Sequence, residues 1–123
     1  MAILSAYRRG LRAADLKTPL PVRRIRPVDG WCDAPSHPAY NRPVRLPFGA
    51  STEAMRRPDG LYDFVVVLDW NVRRRRRGAG SAIFLHVARP GYRPTEGCVA
   101  VSRADMRRLA PLLRPGRVLV VHR

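Results

Sequence analysis

Two residues of this chain have the chemistry of a nucleophile and its base, Cys98 and His86. A free thiol is mostly protonated at neutral pH, whereas the thiolate is the attacking species, so a neighbouring imidazole that takes the proton activates it. Gly97 lets the backbone approach a substrate carbonyl closely, and consecutive amide N–H groups there could stabilise a tetrahedral oxyanion. An isolated cysteine is about as often a small buried hydrophobic residue, so the surrounding elements must decide.

Those elements are short strands. The run Leu61–Leu68 is rich in β-branched and aromatic residues and predicts a central buried strand. Ser81–Ala88 predicts a second strand, near whose end His86 lies, and Gly97–Val101 predicts a third that Cys98 opens. The proline- and glycine-containing segment between His86 and Cys98 can return the chain and bring the two side chains together.

The remaining elements complete a mostly-β chain. Between Gly97–Val101 and a fourth strand at Arg117–His122, one helix is expected, with Ser102 and Asp105 as its cap. The prolines of the first half exclude a long helix there. Val22–Arg26 fits an edge strand and Asp29–Gly30 a turn. Five consecutive arginines, Arg73–Arg77, repel one another and predict an exposed hairpin tip.

Length and charge bound the possible classes of protein. The 123 residues suit one domain, and we expect an irregular segment over residues 1–19 followed by a domain over 20–123. Neither a signal peptide nor a membrane span is expected, because arginines interrupt the apolar residues near the start. The formal charge of +15 predicts attraction to polyanions, so a basic protein that binds nucleic acid or another polyanion is an alternative.

The two cysteines leave two further alternatives. A Cys32–Cys98 disulfide is formally possible, at about one chance in ten. A zinc site formed by Cys32, Asp33 and His37, joined by the predicted nucleophile and base, has a similarly low prior, because zinc ligands usually have tighter, paired spacings. We therefore expect no metal and no cofactor.

Several motifs are quite specific. The stretch Gly80-Ser81-Ala82-Ile83-Phe84-Leu85-His86, together with Thr95-Glu96-Gly97-Cys98-Val99-Ala100, resembles the L,D-transpeptidase catalytic domain of the YkuD type, in the branch with a Thr-Glu-Gly-Cys segment. Three upstream stretches resemble the same branch, and the similarity runs from about Leu20 to Val121. These stretches are Asp29–Asp33, Pro38–Arg42 and Leu61–Asp63.

The resemblance implies a mostly-β, L,D-transpeptidase-like sandwich with one short helix near the C-terminus. It implies that Cys98 attacks a tetrapeptide stem of peptidoglycan, releases D-alanine and forms a thioester, which an amine or water resolves. In this reading His86 is the general base, and the amides of Gly97 and Cys98 form the oxyanion hole. Thr95 lies where the family usually has a serine or threonine.

Two departures from the common pattern affect substrate binding. Glu96 replaces the usual histidine before Gly-Cys, and Ala100 replaces an arginine two residues after the cysteine. Arg89 or Arg93 could supply the missing guanidinium for a substrate carboxylate. Tyr40 and Asn41 fit a cleft wall and a proline-rich turn equally well, and we include Tyr40, Thr95 and Glu96 among the substrate-binding candidates.

The start of the chain is the other departure. Family members of this branch carry further strands before the equivalent of Leu4, so we expect an N-terminally shortened sandwich with an exposed sheet edge, as a monomer or weak dimer. A catalytically impaired family member is therefore a further alternative. The resemblance implies work in the periplasm or cell wall, while the missing export signal leaves the cytoplasm open.

Overall fold

The fold was obtained as a computed structural model, which describes residues 13–15, 24–113 and 117–121. Within these residues the chain forms eight short strands and one α-helix. The mostly-β fold with a single short helix confirms the expected fold class. The elements are β1 (Ala13–Asp15), β2 (Asp29–Cys32), β3 (Arg42–Arg45), β4 (Thr52–Ala54), β5 (Val65–Val67), β6 (Phe84–Val87), β7 (Val99–Val101), α1 (Arg103–Leu109) and β8 (Val118–Val120).

The strands form three small sheets. In the central sheet, of order β5-β6-β7, β6 runs antiparallel to β5 and parallel to β7. The upstream sheet, of order β3-β2-β4, is wholly antiparallel. A two-stranded antiparallel ribbon joins β1 to β8, pairing Ala14 with Leu119.

The central sheet separates two apolar cores. Side chains alternate between the faces of a strand, so Leu85 and Val87 lie on one face and Phe84 and His86 on the other. The first face packs against Leu68 and against Met106 of α1. The second face packs against the upstream sheet, where the ring of Trp31 meets that of Phe84 edge-on at a centroid distance of 5.4 Å. The second face is therefore enclosed between two sheets.

The predicted strands of the central sheet are present but shorter than expected. Ser81–Ala88 contains β6, which is the middle strand, and Gly97–Val101 contains β7. The run Leu61–Leu68 was expected to be a central strand throughout, but only Val65–Val67 is a strand, and it lies beside β6 on one side only. The turn before it explains the difference, because Asp59 Oδ1 accepts the Leu61 N–H at 3.1 Å and Gly60 O accepts the Asp63 N–H at 3.2 Å.

The upstream sheet was not predicted. Asp29–Gly30 was expected to be a turn, but both residues begin β2, because the turn falls at residues 27–28 and Asp29 closes it by accepting the Arg26 N–H at 2.7 Å. Arg24–Arg26 has no regular structure, contrary to the expected edge strand, while residues 22–23 lie outside the described residues. β2 has the sequence Asp-Gly-Trp-Cys, and its first two residue types are depleted in strands, so local propensity did not indicate it.

The helix and the arginine-rich connection match their predictions. Ser102 Oγ accepts the Asp105 N–H at 3.0 Å, as a helix N-cap does. Arg73–Arg77 is exposed between β5 and β6. The turn that carries it is held by Asn71, whose Nδ2 donates to Arg76 O at 2.9 Å and to Gly80 O at 2.8 Å.

At the ends of the chain, β1 lies inside the segment 1–19 that was expected to be irregular, and the rest of that segment lies outside the described residues. A three-residue strand has too few positions for a detectable alternation, and its partner β8 is distant in sequence. Across the described residues, no helix has the length and apolarity needed to cross a membrane.

Candidate active site

The register of the central sheet brings Cys98 and His86 to one face. β6 and β7 are parallel, with Leu85 beside Val99 and His86 beside Ala100. Because Cys98 immediately precedes β7, its side chain points to the same face as Ala100, and that face also carries Phe84 and His86. The predicted nucleophile and base therefore lie on the enclosed face of neighbouring strands, with Cys98 two residues before Ala100, the strand partner of His86.

The Cys98 thiol is held by two backbone groups. Its S–H donates to Ala82 O at an Sγ–O distance of 3.3 Å, and the Phe84 N–H donates to Sγ at 3.4 Å. Both partners lie in or just before β6, so the strand that carries His86 also fixes the thiol. Cys98 as a whole residue is intermediate between buried and exposed.

The turn before Cys98 depends on Gly97 and Thr95. Gly97 has φ +108°, a conformation that side-chain-bearing residues rarely adopt, and an added Cβ would lie 3.3 Å from Ile83 Cδ1. The Thr95 hydroxyl donates to Cys98 O at 2.6 Å and closes the turn. Thr95, expected to contact substrate, thus has a bonding partner within the turn itself.

The imidazole of His86 has a defined tautomer. Its Nδ1 lies 2.8 Å from Val87 O, and since a carbonyl can only accept, Nδ1 carries the hydrogen and Nε2 keeps its lone pair. His86 is 4% exposed, and burial lowers its pKa from the ordinary value of histidine. The ring is therefore neutral at neutral pH and able to accept a proton at Nε2.

The thiol also rests in its neutral form. The pKa of Cys98 is raised to about 11, mainly by burial and also by the carboxylates of Glu53 and Glu96, against the hydrogen bond from the Phe84 N–H. Among the described residues no hydrogen bond joins the imidazole to the thiol, since each uses a backbone partner instead. The resting pair is thus thiol and imidazole, not thiolate and imidazolium.

A cluster that the sequence did not single out surrounds this pair, and we call Glu53, Arg57 and Tyr62 the carboxylate–tyrosine cluster. The Tyr62 hydroxyl donates to Glu53 Oε1, and the Arg57 guanidinium lies over the Tyr62 ring, 5.0 Å from its centroid. The Tyr62 ring meets that of His86 at a centroid distance of 5.4 Å. Burial is the main cause that raises the pKa values of both Glu53 and Tyr62.

Two features kept this cluster from being predicted. Glu53 lies in β4, and its approach to Tyr62 depends on the packing of the upstream sheet against the central one. Tyr62 was noted only as part of the predicted strand Leu61–Leu68 and of the Leu61–Asp63 resemblance. A tyrosine in an apolar run is most simply a core residue, so no local signal marks its hydroxyl.

The other predicted substrate-binding residues occupy varied positions. Glu96 is exposed, and its charge reaches Cys98 and Glu53. Arg89 and Arg93 are exposed on either side of a 3-10 turn at Pro90–Tyr92, and the charge of Arg89 reaches His86. Tyr40 is 4% exposed, in the turn before β3. Their substrate contacts stay predictions.

The alternatives for the cysteines can be compared with the geometry. Both Cys32 and Cys98 are free thiols, and Cys32 is fully buried in β2. Within residues 24–113 and 117–121, no group of three or more histidine, cysteine, aspartate or glutamate side chains is arranged to hold a metal ion. No disulfide therefore joins Cys32 and Cys98 in this fold.

The described part of the chain is thus a mostly-β domain with His86 on β6 and Cys98 directly before the neighbouring β7. The family model of the L,D-transpeptidase catalytic domain, YkuD, matches residues 8–121, and the chain belongs to this family. Searches among curated proteins and among solved structures found no match.

Proposed function

We propose that this protein is a peptidoglycan L,D-transpeptidase that works through a thioester on Cys98. Family membership supports the type of reaction. The observation that carries the assignment of residues is the β6–β7 register, which brings Cys98 and His86 to one enclosed face. The Thr-Glu-Gly-Cys branch of the family remains the one that the motifs resemble.

In the first half-reaction, Cys98 Sγ attacks the carbonyl carbon that precedes the terminal D-alanine of a tetrapeptide stem. His86 Nε2 takes the thiol proton as the S–C bond forms, and the amides of Gly97 and Cys98 stabilise the oxyanion. The proton then passes to the leaving nitrogen as the C–N bond breaks. D-Alanine leaves and a thioester remains.

In the second half-reaction, an amine or water attacks the thioester carbonyl. His86 Nε2 removes a proton from the attacking group, and the departing sulfur of Cys98 takes one back, so both side chains return to their neutral resting forms. The neutral state of His86 at rest, caused by burial, suits a residue that must accept a proton at each stage.

Substrate recognition is proposed for groups around the thiol. Arg89, with its exposed guanidinium near His86, is suited to a substrate carboxylate, and Arg93 is the neighbouring candidate. Glu96 is suited to an ammonium group. Tyr40 would act from the wall of the cleft, and Thr95 would act through the turn that it closes.

Acylation by a carbapenem tests this proposal. The strained amide of a carbapenem can acylate a thiolate, so intact mass spectrometry of the folded protein is expected to show one added carbapenem mass, located at Cys98. Cys98→Ala is expected to abolish the addition. Cys32→Ala, which removes the other, fully buried thiol, is the matched control and is expected to keep it.

An unmodified thiol in folded protein would contradict the proposal and favour the catalytically impaired family member. The family is typically associated with the cell wall, and we propose the periplasm or the cell wall as the site of action. Stem peptides of peptidoglycan are the proposed partner.

A further inference from the structure

Ala82, whose carbonyl holds the Cys98 thiol, has an unusual backbone conformation. Its φ is +53°, in the left-handed region that residues with a side chain rarely adopt. The residue is buried just before β6. A left-handed alanine persists only where its surroundings fix it, so some contact must hold this conformation.

That contact is made by Asn41. The Ala82 N–H donates to Asn41 Oδ1 at 3.1 Å. The same oxygen accepts the Trp31 Nε1–H at 2.9 Å, and Asn41 Nδ2 donates to Trp70 O at 3.2 Å. Asn41 is 1% exposed, so its amide has one orientation, set by its three hydrogen-bond partners.

We propose that Asn41 is a positioning residue for the Cys98 thiol, because it fixes Ala82 in the conformation that aims the Ala82 carbonyl at Sγ. A carbonyl that accepts the S–H bond favours the protonated thiol and holds it towards Ala82. Asn41 thereby sets both the orientation and the protonation of the nucleophile from the turn before β3. The inference rests on the proposed function only in taking Cys98 as the nucleophile.

The variant that tests this inference is Asn41→Gly. Asn41 has φ +55°, which glycine adopts without strain, so the substitution removes the amide and leaves the backbone conformation accessible. Iodoacetamide alkylation is followed across pH by peptide mass spectrometry, with Cys98 and Cys32 quantified separately. At neutral pH we expect Cys98 to react about five- to tenfold faster than in the wild type, the equivalent of one lost hydrogen bond, with a lower apparent thiol pKa.

Cys32 provides an internal measure of general loosening. It is fully buried, so its alkylation reports opening of the fold, and we expect it to stay protected in Asn41→Gly. A parallel rise in Cys98 and Cys32 reactivity would overturn the inference, because it would assign Asn41 a purely structural role. An unchanged Cys98 pH profile would overturn it as well.

Two variants serve as matched controls. Trp31→Phe removes the indole N–H donor from the same Asn41 oxygen but leaves the Ala82 N–H bond, so the Cys98 profile is expected to stay as in the wild type. Asn41→Asp keeps an oxygen acceptor for Ala82 and is expected to restore slow alkylation of Cys98. Acceleration in Trp31→Phe equal to that in Asn41→Gly would count against the inference.

If Asn41→Gly does not fold, the double variant Asn41→Gly/Ala82→Gly decides the question, because glycine at residue 82 adopts a positive φ without strain once the Asn41 bond is lost. Faster Cys98 alkylation with Cys32 protected is again expected in the double variant, whereas a wild-type profile would refute the inference. Alkylation requires no turnover, so a protein that fails to react with a carbapenem but shows the Asn41 effect would contradict the proposed function alone.

Discussion

The imidazole of His86 and the thiol of Cys98 both rest uncharged, and burial is the main cause in each case. Separating charge between them at rest would leave a thiolate and an imidazolium poorly solvated. Proton transfer is therefore best coupled to attack on the substrate. This resting state differs from cysteine sites in which a lowered thiol pKa supplies a standing thiolate.

The pH dependence of acylation follows from these shifts. In the wild type, the rate should rise as the pH passes through the pKa of His86, which burial places below its ordinary value of about 6.5, because only the neutral ring accepts a proton. Above that pKa the rate should stay level until the thiol itself titrates at about 11.

His86→Gln is expected to lower carbapenem acylation at neutral pH by about 10²- to 10⁴-fold, because the general base is lost. The remaining rate should increase with pH up to the thiol pKa of about 11, as thiolate forms without help. Acylation reactions are stopped at successive times and analysed by intact mass spectrometry. The control is His37→Gln, which changes a histidine that packs on Phe48 in the turn before β3. A wild-type profile in His86→Gln would remove His86 from the mechanism.

At the scale of elements, the site depends on how a turn delivers the thiol to the start of β7. Gly97 has φ +108° and lies against Ile83, so the turn has little tolerance for a side chain. The parallel β6–β7 pairing then carries the cysteine into register with the histidine strand. A small change in the turn should therefore misplace the nucleophile while the sheet persists.

Gly97→Ala is expected to reduce both stability and acylation. Forcing alanine to a positive φ costs roughly 1 kcal/mol of unfolding free energy, and contact with Ile83 should displace Cys98. Gly78→Ala is the matched variant, since Gly78 also has positive φ but no atom near its added Cβ. Thermal unfolding should show that both variants are less stable than the wild type. Carbapenem acylation should fall only in Gly97→Ala. Equal acylation in the two variants would contradict this role for the turn.

At the scale of the whole molecule, the 24 basic residues far outnumber the 9 acidic ones, and the formal charge is +15. In the exposed connection between β5 and β6, Arg73 pairs with Asp69 at 3.4 Å, and four further arginines follow it in the chain. Such a loop attracts polyanions through counterion release rather than through a shaped site. This attraction is compatible with the proposed function, because an acidic polymer of the cell wall would attract the loop in the same way as a nucleic acid.

Replacing Arg74, Arg76 and Arg77 with glutamine is expected to weaken binding to a single-stranded oligonucleotide and to flatten its salt dependence, with carbapenem acylation unchanged. Fluorescence anisotropy at several salt concentrations measures the first effect, and intact mass measures the second. Cys98→Ala is the complementary variant, and it should keep oligonucleotide binding and lose carbapenem acylation. Loss of acylation in the arginine variant would indicate that this loop supports the site.

The sequence alone determined the central part of this protein. Local patterns are sufficient for β6, β7 and α1, because β-branched runs, a Gly-Cys turn and a Ser102–Asp105 cap act within a few residues. The segment between His86 and Cys98 was expected to return the chain, and the structure places the two residues on one face of neighbouring strands. The family was likewise accessible, since its motifs are contiguous stretches of chain.

Only the tertiary structure decided the surroundings of the thiol. Glu53 meets Tyr62, and Asn41 meets Ala82, through the packing of the upstream sheet on the central one, and no local pattern encodes either contact. The strand β2 was missed for the same reason, since Trp31 and Cys32 become strand residues through their partners. Contacts between residues distant in sequence depend on the whole fold, and burial in that fold is the main cause of the raised pKa of Cys98.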